Sequence, residues 1–267
     1  MSRSLSEAGL RRKGTKDFLV HIGTSGWHYG HWKGPFYPED LADDEMLRFC
    51  AERFGTVEIN NSFYRMPEKK TFAGWRGIVP KGFVFAVKAS RYITHMKKLR
   101  DAGEPLSRFL DAADELGNKL GPVLFQLPPR WHLNLDRLRA FLALLPKGSH
   151  RFAFEFRDPT WFDEEVYSAL SASGAAFCIY DLDGVLSPKE ITSDFVYIRL
   201  HGPGGPYRGE YGTKVLSEWA KTFASWAGEG KEVYCYFDND EAGHAPRDAS
   251  RLVEMMDAMH GRKGAHK

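Results

Sequence analysis

Ionisable residues stand late in several short apolar runs. Glu58 lies in Thr56-Val57-Glu58-Ile59-Asn60, Lys88 follows Phe83-Val84-Phe85-Ala86-Val87, Glu155 and Arg157 end one run, and Arg199 and His201 end another. Carboxylates among cations are the parts of an acid–base site: Glu58, Glu155 or His201 could move protons, with His201 titrating near neutral pH, while Lys88, Arg157 and Arg199 hold an anion. An Arg fork grips phosphate through two parallel hydrogen bonds, which fixes orientation as well as affinity. The substrate class this set names is a phosphorylated sugar, a nucleotide or a nucleic-acid end, and the enzyme class is a hydrolase or isomerase. Trp27, Tyr29, Tyr64, Tyr180 and Tyr236 add rings on which a base or sugar could lie, and Asn60, Gln126 and Asn239 add amide donors and acceptors.

The same residues admit other readings. Glu58 and Glu155 could be the paired carboxylates of a glycosidase, retaining if about 5–5.5 Å apart and inverting if about 6.5–9.5 Å apart. A non-catalytic module could use the rings and cations to bind nucleic acid or another ligand. A satisfied ion-pair network that fixes the protein interior is the structural alternative. A divalent metal would take Glu58, Glu155, His201 and Asp238. It is disfavoured because His201 is a single inward histidine, no His-x-His or His-Glu-x-x-His spacing occurs, and nearby cations repel a divalent ion. No metal and no other cofactor is expected.

The elements that position these groups alternate. Apolar, β-branched or aromatic runs at 18–24, 56–60, 83–88, 122–127, 152–157, 176–181, 195–201 and 232–237 read as strands. Segments at 44–54, 68–76, 106–116, 135–145, 164–171, 214–226 and 247–259 carry helical spacing. Eight β-α units of this size predict an α/β fold, a single (β/α)₈ TIM barrel, with an irregular unit after the sixth strand where little helix shows. A doubly wound open sheet is less favoured, because no strand is followed by Gly-x-Gly-x-x-Gly.

Strand parity then assigns faces. Val57 with Ile59, then Phe83, Phe85 and Val87, then Phe152, Phe154 and Phe156, and finally Val196, Ile198 and Leu200 face the helices. That leaves Glu58, Asn60, Lys88, Glu155, Arg157, Tyr197, Arg199 and His201 facing the barrel axis, with Gln126, Tyr180 and Tyr236 by the same parity. The charged members fall near strand C-termini, where barrel enzymes place their chemistry. On this reading Glu58→Gln and Glu155→Gln should leave folding largely intact and abolish turnover, whereas collapse of both would favour the structural network.

Composition bounds the rest. With 37 basic and 35 acidic side chains in 267 residues the net charge is +2, too small for a broad phosphate footprint. No apolar run reaches the about 18–20 residues of a membrane span and no secretory signal appears, so a cytoplasmic protein without membrane contact is expected. Cys50, Cys178 and Cys235 are widely spaced in apolar surroundings and read as buried thiols. Residues 1–16, which include Arg11, Arg12 and Lys13, and residues 261–267 read as disordered tails around one domain at 17–260. Oligomeric state has no signature here.

Particular runs resemble the YecE-like family, domain of unknown function 72, across roughly residues 18–259. They are Gly23-Thr24-Ser25-Gly26-Trp27 with Tyr29 and Trp32, Val57-Glu58-Ile59-Asn60 leading to Phe63-Tyr64, and Lys88 with Thr94-His95. They continue as Leu124-Phe125-Gln126-Leu127-Pro128-Pro129, Glu155-Phe156-Arg157 with Trp161, Arg199-Leu200-His201-Gly202, and Tyr236-Phe237-Asp238-Asn239-Asp240 with His244-Ala245. The resemblance implies a TIM barrel and a likeness of shape to endonuclease IV-like and sugar-phosphate isomerase barrels, but no activity. Ser62 and Asp238 depart from the pattern, which more often has Thr and Asn there; Asp238 adds a third carboxylate to the mouth.

Overall fold

The computed structural model describes residues 20–148 and 150–264. The proposed N-terminal tail, Phe18 and Leu19 of the first expected strand, and residues 265–267 lie outside the described residues. In chain order the elements are β1 (Val20–Thr24), α1 (Met46–Arg53), β2 (Thr56–Ile59), α2 (Lys69–Ile78), β3 (Val84–Lys88), α3 (Gly103–Ala113), β4 (Leu120–Gln126) and α4 (Leu135–Leu142). They continue with β5 (Phe152–Glu155), α5 (Glu164–Ser173), β6 (Ala176–Leu182), β7 (Val185–Leu186), β8 (Phe195–Leu200), α6 (Thr213–Gly228), β9 (Glu232–Phe237) and α7 (His244–Gly264). The final helix runs past Gly261, where the sequence suggested a tail.

Neighbours in the sheet follow the order β1-β9-β8-β6-β5-β4-β3-β2, all parallel. The circle is nearly closed. Its seam, between β1 and β2, is held by a bridge at Ser25 and Glu58 and by the Gly26 N–H donating to the Glu58 carbonyl at 2.8 Å. A Cβ at Gly23 would lie 2.1 Å from the Thr56 carbonyl oxygen, so the two strands can meet only because residue 23 has no side chain. This is the expected barrel.

The expected irregular unit follows β6. There β7 turns back antiparallel on β6, and the chain reaches β8 without a helix among the described residues. Side chains take over the capping: Ser187 Oγ accepts from the Tyr180 N–H at 2.9 Å, and Thr192 Oγ1 accepts from the Phe177 N–H at 2.8 Å.

Alternation along the strands divides the buried apolar residues into two layers. Val57, Ile59, Phe85, Val87, Phe154, Phe156, Ile198 and Leu200 pack outward against the helices. Ala86, Leu124, Ala153, Cys178, Tyr197, Tyr234 and Tyr236 fill the barrel axis. The strand parity read from sequence therefore holds. Cys50, Cys178 and Cys235 are free and buried. Among the described residues, no helix is long and apolar enough to cross a membrane.

Candidate functional site at the barrel mouth

Arg199, near the end of β8, occupies the centre of the mouth with no solvent exposure. Its Nη2 donates to Glu58 Oε1 at 2.8 Å, to Asp238 Oδ2 at 2.9 Å and to Ser25 Oγ at 3.0 Å. Its Nη1 donates to Glu155 Oε2 at 3.0 Å. Glu58 also accepts from Ser25 Oγ at 2.5 Å and from the Tyr197 hydroxyl at 2.6 Å, so the seam of the barrel and the charged centre share atoms. Arg157 Nε donates to Glu155 Oε1, and its Nη2 lies 2.9 Å from His201 Nε2. A guanidinium only donates, so Nε2 accepts and His201 Nδ1 donates to Asp238 Oδ2 at 2.9 Å.

Burial alone would raise the Glu155 carboxyl, yet Arg157 and Arg199 hold it well below the usual carboxylate range. Asp238 responds in the same way, with Arg199, His201 and Lys88 overcoming burial and pulling it down to about 2. Glu155 and Asp238 are therefore ionised partners of guanidinium groups.

Above this centre lies a second layer in which charge is not matched. Lys88, the last residue of β3, is 6% exposed, and its Nζ stands 4.3 Å from the centre of the Phe63 ring. Burial, then Arg199, push its ammonium down to about 8 against weaker pulls from Asp238, Glu58 and Glu155. His95 touches the same ring edge-on, at 5.0 Å between centroids, and its Nδ1 lies 2.9 Å from Thr94 Oγ1. Burial and the charges of Lys88, Arg91 and Arg157 press the imidazole down to about 4. His95 belongs to a π-helical turn, Tyr92–Met96, a wide turn frequent at functional sites.

The remaining expected residues separate. Trp27, Tyr29, Asn60 and Tyr64 line one cleft of about 220 Å³ between the β1 and β2 loops, with Tyr64 69% exposed. Tyr180 lies under Arg157, whose guanidinium carbon is 5.0 Å from the ring centre, and Gln126 is buried at the end of β4. Two sit elsewhere. The Tyr236 hydroxyl is 2.8 Å from Thr56 Oγ1 within the barrel interior, and Asn239 donates to the Gly209 carbonyl and to Asp248, tying a loop to α7. Trp32 and Trp161 are buried plugs beside the rim.

Ser25, Tyr197, His95 and Tyr207 belong to this region although sequence alone does not mark them as site residues, and Asp238 is the third carboxylate of the mouth. Tyr197 has inward parity, Ser25 lies in the run Gly23-Thr24-Ser25-Gly26-Trp27, and His95 follows Thr94. Tyr207 arrives through a loop and packs edge-on over His201 at 5.5 Å.

This geometry favours the structural alternative for two of the expected site residues. Glu58 and Glu155 have no solvent exposure and are bonded on both oxygens, so their replacement acts on folding first. We expect Glu58→Gln to lower unfolding free energy by about 1.5–3 kcal/mol, the range for a hydrogen bond to a charged group, in urea denaturation. A variant as stable as the parent would show that the network does not hold the mouth together.

The chain matches the family described as "Protein of unknown function DUF72" over residues 21–266. It is 25% identical over 275 residues to UPF0759 protein YunF of Bacillus subtilis (strain 168), covering 90% of this chain and 95% of that protein. UPF0759 protein YecE of Escherichia coli (strain K12) is 28% identical over 148 residues, 54% of this chain and 50% of that protein. The crystal structure of a DUF72 family protein from Thermotoga maritima superposes with a TM-score of 0.81 at 27% identity, covering 89% of this chain and 99% of that one. With the match running from the first strand through the last helix, the chain belongs to the DUF72 family.

Proposed function

We propose that the mouth binds a small anionic molecule, a phosphorylated sugar, a nucleotide or a nucleic-acid end, and acts on it as an enzyme. The observation that carries this reading is the second layer. Arg157 and Arg199 have carboxylate partners, whereas Lys88 and Arg91 have no ion pair among the described residues. A buried ammonium without a counter-ion is costly, and an incoming anion removes that cost. Lys88 and His95, both shifted toward neutral pH or below, are then available for proton transfer. The glycosidase alternative has less support, because one guanidinium clamps both Glu58 and Glu155 away from solvent.

Calorimetry with inorganic phosphate, glyceraldehyde 3-phosphate and AMP tests the reading. At least one should bind saturably, weaken as pH rises through about 8 and Lys88 loses its charge, and lose about 10-fold or more in affinity in Lys88→Met. Binding that ignores both the pH and the substitution would overturn it.

A further inference from the structure

We propose that Lys88 is an imine-forming lysine, and that the ligand of the mouth is an anionic aldehyde or ketone of sugar-phosphate size whose carbonyl carbon the Lys88 amine attacks. The proposal rests on the anion-binding reading above and adds the reactive group of the ligand.

Three features of the geometry converge on it. Lys88 ends a barrel strand with its side chain inward and nearly buried, so its amine is presented at the mouth rather than to bulk water. Its Nζ stands 4.3 Å from the centre of a phenyl ring, Phe63, which stabilises a cation only weakly and accepts no proton. A carboxylate partner would lock nitrogen as ammonium, and Lys88 has none among the described residues. An amine must be unprotonated to attack a carbonyl, and burial beside other cations is how proteins keep a lysine in that state. The drop to about 8 agrees with the geometry.

His95, edge-on to the same Phe63 ring, supplies the proton carrier. It is half-buried and oriented by Thr94, and burial, then the surrounding cations, keep its imidazole unprotonated. The Lys88 ammonium passes one proton to His95 through a water in the mouth. The freed nitrogen pair forms the C–N bond while the carbonyl π pair moves to oxygen. That oxygen takes a second proton from the nitrogen, then the first one back from His95, and leaves as water as the nitrogen pair closes the C=N bond. Carbonyl plus ammonium becomes protonated imine plus water, with charge conserved and no other reactant. The ligand's phosphate or carboxylate, next to Arg91 and Arg157, offsets the positive charge that persists on nitrogen.

The test uses the full-length protein with glyceraldehyde 3-phosphate and sodium borohydride, which reduces an imine to a stable secondary amine, followed by peptide mass mapping. Labelling should concentrate on Lys88 at least 10-fold faster than on any exposed lysine, slow with added inorganic phosphate, and lose its selectivity in urea. His95→Gln should slow labelling of Lys88 by a larger factor than it weakens phosphate binding. Label spread over surface lysines with Lys88 unmodified, in protein that still binds phosphate at the mouth, would overturn imine formation and leave the anion site standing. Absence of both labelling and phosphate binding would overturn the two together.

Discussion

Arg199→Met is expected to destabilise the protein by at least about 3–5 kcal/mol at neutral pH, the cost of breaking a buried ion pair from one side. The figure is a lower bound here because one guanidinium serves Glu58, Glu155 and Asp238 together. With Arg199 gone, those carboxylates face one another with Arg157 as the remaining paired cation. Against a typical total stability of about 5–15 kcal/mol, such a loss leaves the chain marginal or unfolded. A pH signature separates this cause from a packing defect. Carboxylates robbed of their cation rise above their unfolded values, so the folded variant binds protons that the unfolded chain has released. Stability gained this way is fully present below the unfolded pKa and is lost as pH rises through the folded one. Urea denaturation should therefore find Arg199→Met more stable at pH 5 than at pH 7. Equal or lower stability at pH 5 would assign the loss to packing.

Lys88→Met should move stability the other way. The Lys88 ammonium falls from 10.5 to about 8 on folding, so between those values the unfolded chain holds more protons than the folded one, and stability rises with pH. Below about 8 the full cost applies, about 3 kcal/mol for a shift of this size at 1.36 kcal/mol per unit. Methionine has a similar reach and no charge, so the variant should be more stable than the parent by roughly that amount at pH 7. The advantage should vanish above about 10.5, where the parent lysine is neutral in both states. A stabilised variant that has lost its ligand is what a residue retained for function, at the expense of the fold, should give. A destabilised one would show that Lys88 has a structural partner after all.

The fold and the inward set were legible because a strand's period of two is written directly in residue type. Phe83, Phe85 and Val87 outward force Lys88 inward, and the same parity placed Glu58, Glu155 and Arg199. Depth and pairing were not legible. Parity gives Tyr197, Tyr236 and Arg199 the same face, but only the packed barrel shows Tyr236 bonding Thr56 in the interior while Arg199 gathers three carboxylates at the mouth. Asn239 lies beyond the end of its strand, where parity no longer applies, and it serves a loop and α7. His95 escaped because its π turn leaves no apolar periodicity to read.

The seam between β1 and β2 has a consequence for the order of assembly. β1 gains its full ladder only from β9, with Val20 opposite Val233, while towards β2 it has little beyond the Ser25–Glu58 bridge. Pairing across most of the chain is slow because the intervening loop must be closed first. During synthesis the first strand made must wait for the last, and Glu58 stays hydrated until Arg199 arrives on β8. Closing the ring and burying its charges are thus one late event, so ribosome-bound chains that lack β9 should expose the β1 backbone and be the species most in need of a chaperone.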